Sequence, residues 1–373
     1  MFRSISLHSR FTTSNIRVTS RLTLPQNHFS TNTVMPGKYA AVHGPENENG
    51  PGDARPTALQ IIKDEGLEGK MSDKVFLVTG TSAGIGPETG RAFAATGGKV
   101  FMTVRDLKKG EEACKSFLEP GRVELLEMDN QNLDSVRKAA QNFLSKSNKL
   151  NVLVCNAGIM AAPYQKTKDG FESQFQTNHL SHFLLFQLLK DTMLKSSTPD
   201  FHSRVVTVSS TGHAAGEVQF GNYDFSDGKD YTPWGGYGQS KTANIYMTNE
   251  IENRYAEKGL HGISLHPGGI WSGLQKFVAP ETMAEWKARP NVDKHIKSYE
   301  QGAATSVYAA VGKVFEKKGR LYLVDCDVES PKTNGKEGAI DDTRQGYSPH
   351  IFDKEKEARL WEDSLKMVGV TDS

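Results

Sequence analysis

Between Lys74 and Val324 short apolar runs alternate with longer amphipathic stretches, and this alternation limits the fold more than any other feature of the chain. The runs are VFLVT from Val75, KVFMTV from Lys99, RVELLEM from Arg122, NVLVCN from Asn151, RVVTVS from Arg204, HGISLH from His261 and RLYLV from Arg320. Segments with helical spacing, such as SVRKAAQNFLSKS and GFESQFQTNHLSHFLLFQLLKDTML, lie between them. A strand with helices over both faces has no polar side to present, so it reads as apolar throughout rather than alternating. Seven such strands joined by helical crossovers predict an α/β fold, a doubly wound parallel sheet in a single domain over residues 71–330.

In a sheet of this kind ligands bind beyond the carboxyl ends of the strands. The turn after the first strand is TGTSAGIG, with Gly80, Gly84 and Gly86. Glycine accepts positive φ and lets backbone N–H groups approach a pyrophosphate, while the helix that follows aims its positive end at the same place. Pro87 falls in the first turn of that helix, where its missing N–H is tolerated. The second strand ends at TVRDLKK, where a free ribose 2′-hydroxyl meets a carboxylate and a 2′-phosphate meets arginine. Arg105, with Lys108 and Lys109 nearby, favours NADP(H); Asp106 keeps NAD(H) as the alternative.

The rest of the composition excludes more than it assigns. A formal net charge of +1 over 373 residues argues against a broad nucleic-acid-binding face. The longest apolar run, FLLFQLL from Phe183, is far short of the ~20 residues needed to span a bilayer. Cys114, Cys155 and Cys326 lie far apart, without the spacing of a disulfide framework or a zinc site. His179 and His182 are one helical turn apart but have no third ligand in view, so no metal is expected.

From Met1 to Pro45 there is no acidic residue, while Arg3, Arg10, Arg17 and Arg21 sit among many Ser and Thr. This reads as a mitochondrial targeting peptide over residues 1–34, or as an upstream tail of a cytoplasmic protein if translation starts at Met35. Residues 35–70 are rich in Gly, Pro, Asn and Asp and predict a flexible arm, folding back or disordered, with one short helix near Thr57–Asp64. At the other end, residues 331–373 form an extension with an amphipathic helix. Leu360, Trp361, Leu365 and Met367 supply its apolar spacing, which suits a helix that covers the substrate opening, joins a subunit contact or, the plainer reading, caps the protein's own core.

The second decisive stretch is YGQSK, Tyr237–Lys241, where phenol and ammonium four residues apart share one helix face. A nearby ammonium favours phenolate and predicts a Tyr237 pKa drawn down toward the working range. With CNAG at Cys155–Gly158, TNHLSHF around Asn178, VSS at Val208–Ser210 and HPG at His266–Gly268, the chain resembles the short-chain dehydrogenase/reductase family over about Lys74–Val324. NHLSHFLL and YGQSKTANI carry a finer likeness to its retinol-dehydrogenase-like and WW-domain-oxidoreductase-like branch, fungal relatives included, though WW domains are absent. CNAG in place of the commoner N-N-A-G, and a long interval between Ser210 and Tyr237, are its departures.

The resemblance implies a Rossmann-type nucleotide-binding sheet and a role for each matching residue. Tyr237 would transfer the proton, Lys241 would lower its pKa and hold the nicotinamide ribose, and Ser210 rather than Ser209 would hold the substrate oxygen. Asn178 would anchor a water in a proton relay. Gly80, Ser82, Gly84, Ile85 and Gly86 would cradle the coenzyme, with Arg105 at the ribose phosphate and Asp129 at the adenine. Asn156 and Gly158 would pack around the bound coenzyme, Pro267 and Gly268 would shape the nicotinamide pocket, and Ser272 would meet the carboxamide. Asp129, just before a helix, is equally an N-cap candidate.

The implied reaction interconverts an alcohol and a carbonyl with NADP(H). Reduction of a C=C bond, as in protochlorophyllide reductase, and a coenzyme-binding regulator without turnover are the alternatives. Residues 274–293 would form a mobile substrate cover. Phe277, Val278, Met283 and Trp286 there, with Trp271, Met160 and Tyr164, predict an apolar small-molecule substrate. A homodimer or homotetramer is the family's habit.

Overall fold

The computed structural model describes residues 37–332 and 346–372, which belong to one unit spanning Pro36–Ser373. The leader-like segment 1–34, Met35 and residues 333–345 of the carboxyl-terminal extension lie outside the described residues.

All seven apolar runs are strands: β1 Val75–Thr79, β2 Lys99–Val104, β3 Val123–Glu127, β4 Val152–Cys155, β5 Ser203–Val208, β6 Leu260–His266 and β7 Leu321–Val324. They pair in parallel in the order β3-β2-β1-β4-β5-β6-β7, and β8, Asp327–Val328, adds an antiparallel edge to β7. This last strand is two residues long and was not expected. It forms because Asp325 and Cys326 both adopt positive φ (53° and 61°) and reverse the chain at once.

Among the helices before β5 are α1 Ala58–Asp64, α2 Ile85–Ala95, α3 Leu107–Cys114, α4 Leu133–Lys146 and the single turn α5 Ser173–Phe175. The others are α6 Ser181–Ser196, α7 Pro233–Tyr255, α8 Pro280–Lys287, α9 Val292–His295, α10 Tyr299–Gly302, α11 Ala304–Val311 and α12 Lys354–Val368. β1 shows why the strands read as apolar. Val75 and Leu77 enter the core under α4, α6, α7 and α12, while Phe76 and Val78 enter the opposite core under α1, α2 and α11. β1 lies between β2 and β4, whose crossovers run to opposite sides, and a crevice opens there at the strands' carboxyl ends.

Of its two expected forms, the amino-terminal arm takes the folded-back one. The predicted short helix is present as α1, capped by Thr57, whose hydroxyl accepts from Gln60 N at 3.1 Å. Ile61 and Ile62 are fully buried, and the Tyr39 ring meets Tyr308 edge-on at 5.3 Å. Residues 37–70 are therefore part of the folded core and not a free arm; few apolar residues suffice because they fall on one helix face.

The carboxyl-terminal helix does cap the core. Trp361 is 1% exposed and packs edge-on against Phe183 at 5.0 Å, Leu360 and Leu365 lie beside it, and Met367 packs partly buried at the rim. His179 Nε2 bonds Ser364 Oγ at 2.9 Å and His182 Nε2 bonds Thr79 Oγ1 at 2.8 Å, so both rings serve helix packing. Cys114, Cys155 and Cys326 are free, buried thiols, each pushed up in pKa by burial. Among the described residues no helix is long and apolar enough to cross a membrane.

Candidate active site

A cleft of about 1020 Å³ runs along the carboxyl ends of the strands, from the end of β2 to the segment after β6. The glycine loop makes its floor. Gly84 has φ +69° with open space where a Cβ would stand, so glycine is required there by the backbone and not by crowding. No side chain caps α2 at Gly84, and Ser82, Ala83, Gly84 and Ile85 line the cleft, which leaves the first-turn amides of α2 facing it. Gly86 lies one turn in and off the cleft wall. A Cβ on it would strike the carbonyl oxygen of Gly80, so this glycine permits close helix–strand packing beneath the loop rather than contact with a ligand.

Beyond the loop, Arg105, Lys108 and Lys109 line the far end, with Arg105 exposed. Asp106 is spent as the N-cap of α3, accepting from Lys109 N at 3.2 Å. Asp129 also lines the cleft and closes a turn by accepting from Gln131 N at 3.0 Å; the N-cap of α4 is Asn132 instead. Asn156 turns its amide inward, donating to the carbonyls of Thr79 (2.8 Å) and Gly80 (3.1 Å), and so ties the end of β4 to the glycine loop. Gly158 leaves room behind it: a Cβ would lie 3.1 Å from Asn178 Oδ1 and 3.4 Å from Lys241 Nζ.

The middle of the cleft carries the titratable groups. α7 begins at Pro233 with Thr232 as cap, and four residues in it presents Tyr237 and, a turn later, Lys241. Tyr237 is 3% and Lys241 4% exposed, yet both reach the cleft wall. Ser210, just past β5, lies on the same wall, and its hydroxyl accepts from Gly212 N at 3.0 Å. Ser209 is turned away and donates to the carbonyl of Lys241 at 2.8 Å. Lys241 Nζ donates to Val208 O at 2.9 Å and lies 5.6 Å from the centroid of the Tyr237 ring.

Asn178 stands behind the wall, fully buried, in a π-helical turn over Gln176–Leu180. Its Oδ1 accepts from Ile159 N at 2.9 Å, and its Nδ2 donates to Ile159 O at 3.0 Å and to Ser240 Oγ at 2.8 Å. The side chain is thus committed to clamping the β4 loop onto α7. Wide turns of this kind concentrate at functional sites.

Burial dominates the electrostatics. It pushes the Tyr237 phenol up to about 12, against a smaller downward pull from the nearby Ser210 hydroxyl, and draws Lys241 down to about 7. The expectation that Lys241 lowers the tyrosine's pKa does not hold in this coenzyme-free arrangement. An ammonium that is itself half discharged near neutrality, and hydrogen-bonded to a carbonyl, cannot offset the desolvation of the phenol.

At the other end, Pro267 and Gly268 line the cleft, and Gly268 has φ +99°. Ser272 lines it too, but its hydroxyl accepts from Leu274 N at 3.2 Å and, with Gln275, forms a capping box for the turn Gly273–Phe277. Trp271, Leu274, Trp286 and Met160 supply an apolar lining, and Val278 packs into the same cluster around Tyr237. Phe277 points outward at 42% exposure, and neither Met283 nor Tyr164 is among the cleft-lining residues; the Tyr164 hydroxyl donates to Asp227 at 3.1 Å.

Two participants escaped the sequence reading. Trp234 meets Tyr237 edge-on at 6.0 Å and Trp286 at 5.6 Å; its place three residues before Tyr237 on one helix was the available signal. Gly212 is the other, since a Cβ there would stand 2.6 Å from the Tyr237 ring.

The residues present fit a dinucleotide. Uncapped amides of α2 face an open floor, a guanidinium lies where the second strand ends, and the buried phenol lies beyond them along the same cleft. Comparison with known proteins agrees with this geometry. The family model described as short chain dehydrogenase matches residues 74–282. Short-chain dehydrogenase/reductase prx1 of Penicillium roqueforti is 56% identical over 336 residues, 90% of this chain and 96% of that protein. Retinol dehydrogenase 12 of Mus musculus is 34% identical over 304 residues, 81% of this chain and 88% of that protein. Among solved structures, an uncharacterised protein of Mycobacterium paratuberculosis matches with a TM-score of 0.60 at 30% identity, covering 82% of this chain and 97% of that one. The chain belongs to the short-chain dehydrogenase family, in its retinol-dehydrogenase-like branch, and is an oxidoreductase of that family.

Proposed function

We propose that the protein interconverts an alcohol and a carbonyl on an apolar substrate with NADP(H), Tyr237 carrying the proton. The observation that supports this most is the position of Tyr237. Its phenol shares one wall with Ser210 midway along one continuous cleft, between the amide-lined glycine loop and the tryptophan-lined end. When bound, the coenzyme supplies or accepts the hydride.

The chain's own residues divide the remaining work. Ser210 and Tyr237 offer two hydroxyls to one substrate oxygen. A phenol held up to about pH 12 stays protonated through the neutral range, which suits it to give its proton to a carbonyl oxygen during reduction. In the opposite direction it must accept the alcohol's proton, and Lys241 then stands close enough to stabilise the phenolate. Asn178 and Asn156 hold the β4 loop and the glycine loop in register with α7. Trp234, Trp286, Trp271 and Met160 exclude water from the reacting end and favour a lipophilic carbonyl compound.

NADP(H) is favoured over NAD(H) because Asp106, the carboxylate that follows β2 in sequence, is already committed as a helix cap, while Arg105 lies exposed at the same rim. The test is a coenzyme-coupled assay of the full chain with a panel of bulky ring ketones and short linear ones, run with NADPH and with NADH. Oxidation of NADPH by ring ketones supports the reading. Turnover confined to α,β-unsaturated compounds, with the C=C bond reduced, would replace it.

A further inference from the structure

The cover over the substrate end of the cleft, residues 273–296, begins at the Ser272 capping box and ends at α9 and Ile296. Just past its far end, Lys297 N donates to Gly269 O at 2.8 Å and its ammonium pairs with Asp325 beyond β7; the residues before it are held by the amino-terminal arm, and chiefly by one side chain. Arg55 is 2% exposed and donates to the carbonyls of His295 (2.8 Å), Ile296 (2.8 Å) and Lys294 (3.2 Å), the last three residues of the cover. Gly50 N donates to the carbonyl of Lys294 at 3.1 Å, and Glu48 bonds the His295 ring.

The clasp is built to keep that guanidinium fixed. Asp53 accepts from Arg55 Nε at 2.9 Å and pairs with its Nη2 at 2.8 Å. Gln301, at the start of α10, locks the arm from the other side. It donates to Asp53 Oδ1 at 2.9 Å and to Arg55 O at 3.1 Å, and accepts from Gly52 N at 3.0 Å. Three carbonyls at the carboxyl end of a short helix have no partner of their own, so a buried fork of five N–H donors anchors that end strongly. The anchored residues connect directly to the cleft, because Val292 and Ile296 line it together with Trp286.

We propose that Arg55 is a positioning residue for the substrate cover: the amino-terminal arm sets the pose in which Trp286, Val292 and Ile296 close over the cleft. For substrate selection the proposal rests on the carbonyl-reductase reading above; for the anchoring itself it does not. Arg55 touches neither the glycine loop nor Tyr237, so its loss loosens the cover and leaves the coenzyme end and the proton-transfer groups in place.

Hydrogen exchange of the full chain, read by mass spectrometry, tests the anchoring without any substrate. In Arg55→Gln, amides of residues 286–298 should exchange faster while the strands, α7 and the glycine loop keep wild-type protection. Arg55→Lys, which retains the charge between Asp53 and Glu48 but not the fork, should fall between the two. Three of the chain's four tryptophans, Trp234, Trp271 and Trp286, line the cleft, so acrylamide quenching should rise in the same order. With a turned-over ring ketone, KM should rise about tenfold, the loss of one or two charge-assisted hydrogen bonds, with kcat and NADPH affinity nearly unchanged. Unchanged exchange over 286–298, or loss of protection spread evenly over the domain, overturns the proposal. If Arg55→Gln does not fold, Gln301→Leu releases the arm from its other side and must loosen the same residues. Failure of all ketone turnover alongside cover-specific exchange would refute the carbonyl reading and leave the anchoring intact.

Discussion

Lys241 Nζ donates to the carbonyl of Val208 at 2.9 Å, which fixes the ammonium at the carboxyl end of β5 and not on the phenol one helical turn away. With both groups buried, each is driven toward its neutral form: the lysine down to about 7, the tyrosine up to about 12. The coenzyme-free site therefore approaches an uncharged pair at neutral pH, which sets how stability and chemistry respond to pH.

Between pH 7 and the ordinary lysine pKa of about 10.5, the unfolded chain keeps a proton that folded Lys241 has shed, so this residue makes stability rise with pH across that window. Lys241→Met removes the contribution. In thermal unfolding without coenzyme, the wild-type Tm should gain on the variant's by at least about 2 °C between pH 7 and 9.5. A constant difference across that range would show that the lysine is not discharged by folding.

Removing the Tyr237 hydroxyl should abolish chemistry and spare docking. Tyr237→Phe is expected to lower kcat by about 10²–10⁴-fold, the ordinary worth of a general acid. NADPH affinity, measured by fluorescence titration, should stay within about twofold of wild type, well under the ~1 kcal/mol of one hydrogen bond. Retention of most activity would move the proton donor elsewhere.

Arg105 is the coenzyme discriminator in the proposed reading. Arg105→Ala should weaken NADPH about tenfold, the worth of one or two charge-assisted bonds, and leave NADH unchanged. Equal losses for the two coenzymes would take away the basis of the NADP(H) assignment.

Trp361 is the largest side chain buried by the carboxyl-terminal helix, set against Phe183, Phe186 and Tyr255. Trp361→Ala should cost about 3–5 kcal/mol in urea unfolding through the cavity it leaves. Because α12 lies away from the cleft, KM should not move at a temperature where the variant is folded.

The sheet was legible because strands covered on both faces announce themselves as apolar runs, and β1 sends Phe76 and Val78 one way and Leu77 the other. β8 was not, since two residues carry no periodicity and its turn depends on positive φ at Asp325 and Cys326. Tyr237, Lys241 and Ser210 were legible as a spacing and meet in one cleft, but a spacing says nothing of burial, and burial decides the direction of the tyrosine's shift. Gly86 and Asn178 were assigned to the site by motif; the first packs beneath it and the second braces it from behind. Whether the arm folds back was left open because its polar side chains are satisfied by carbonyls some 240 residues further along, as with Arg55 and His295, and no local pattern records such a partner.

The two ends of the cleft are held in unequal ways. α7 is tied along its length: Tyr246 and Asn249 bond His350, Ile351 and Glu357, and Lys241 is bonded to β5. Among the described contacts, the cover's far end is fixed at two points, the Arg55 clasp and Lys297, which bonds Gly269 and Asp325. Sequence variation in the cover can then change which molecules are admitted while the proton-transfer pair stays put, so selectivity is free to diverge faster than chemistry. Laboratory evolution directed at residues 273–296 should reach new substrates at small cost to folding, whereas the same mutational load on α7 should not.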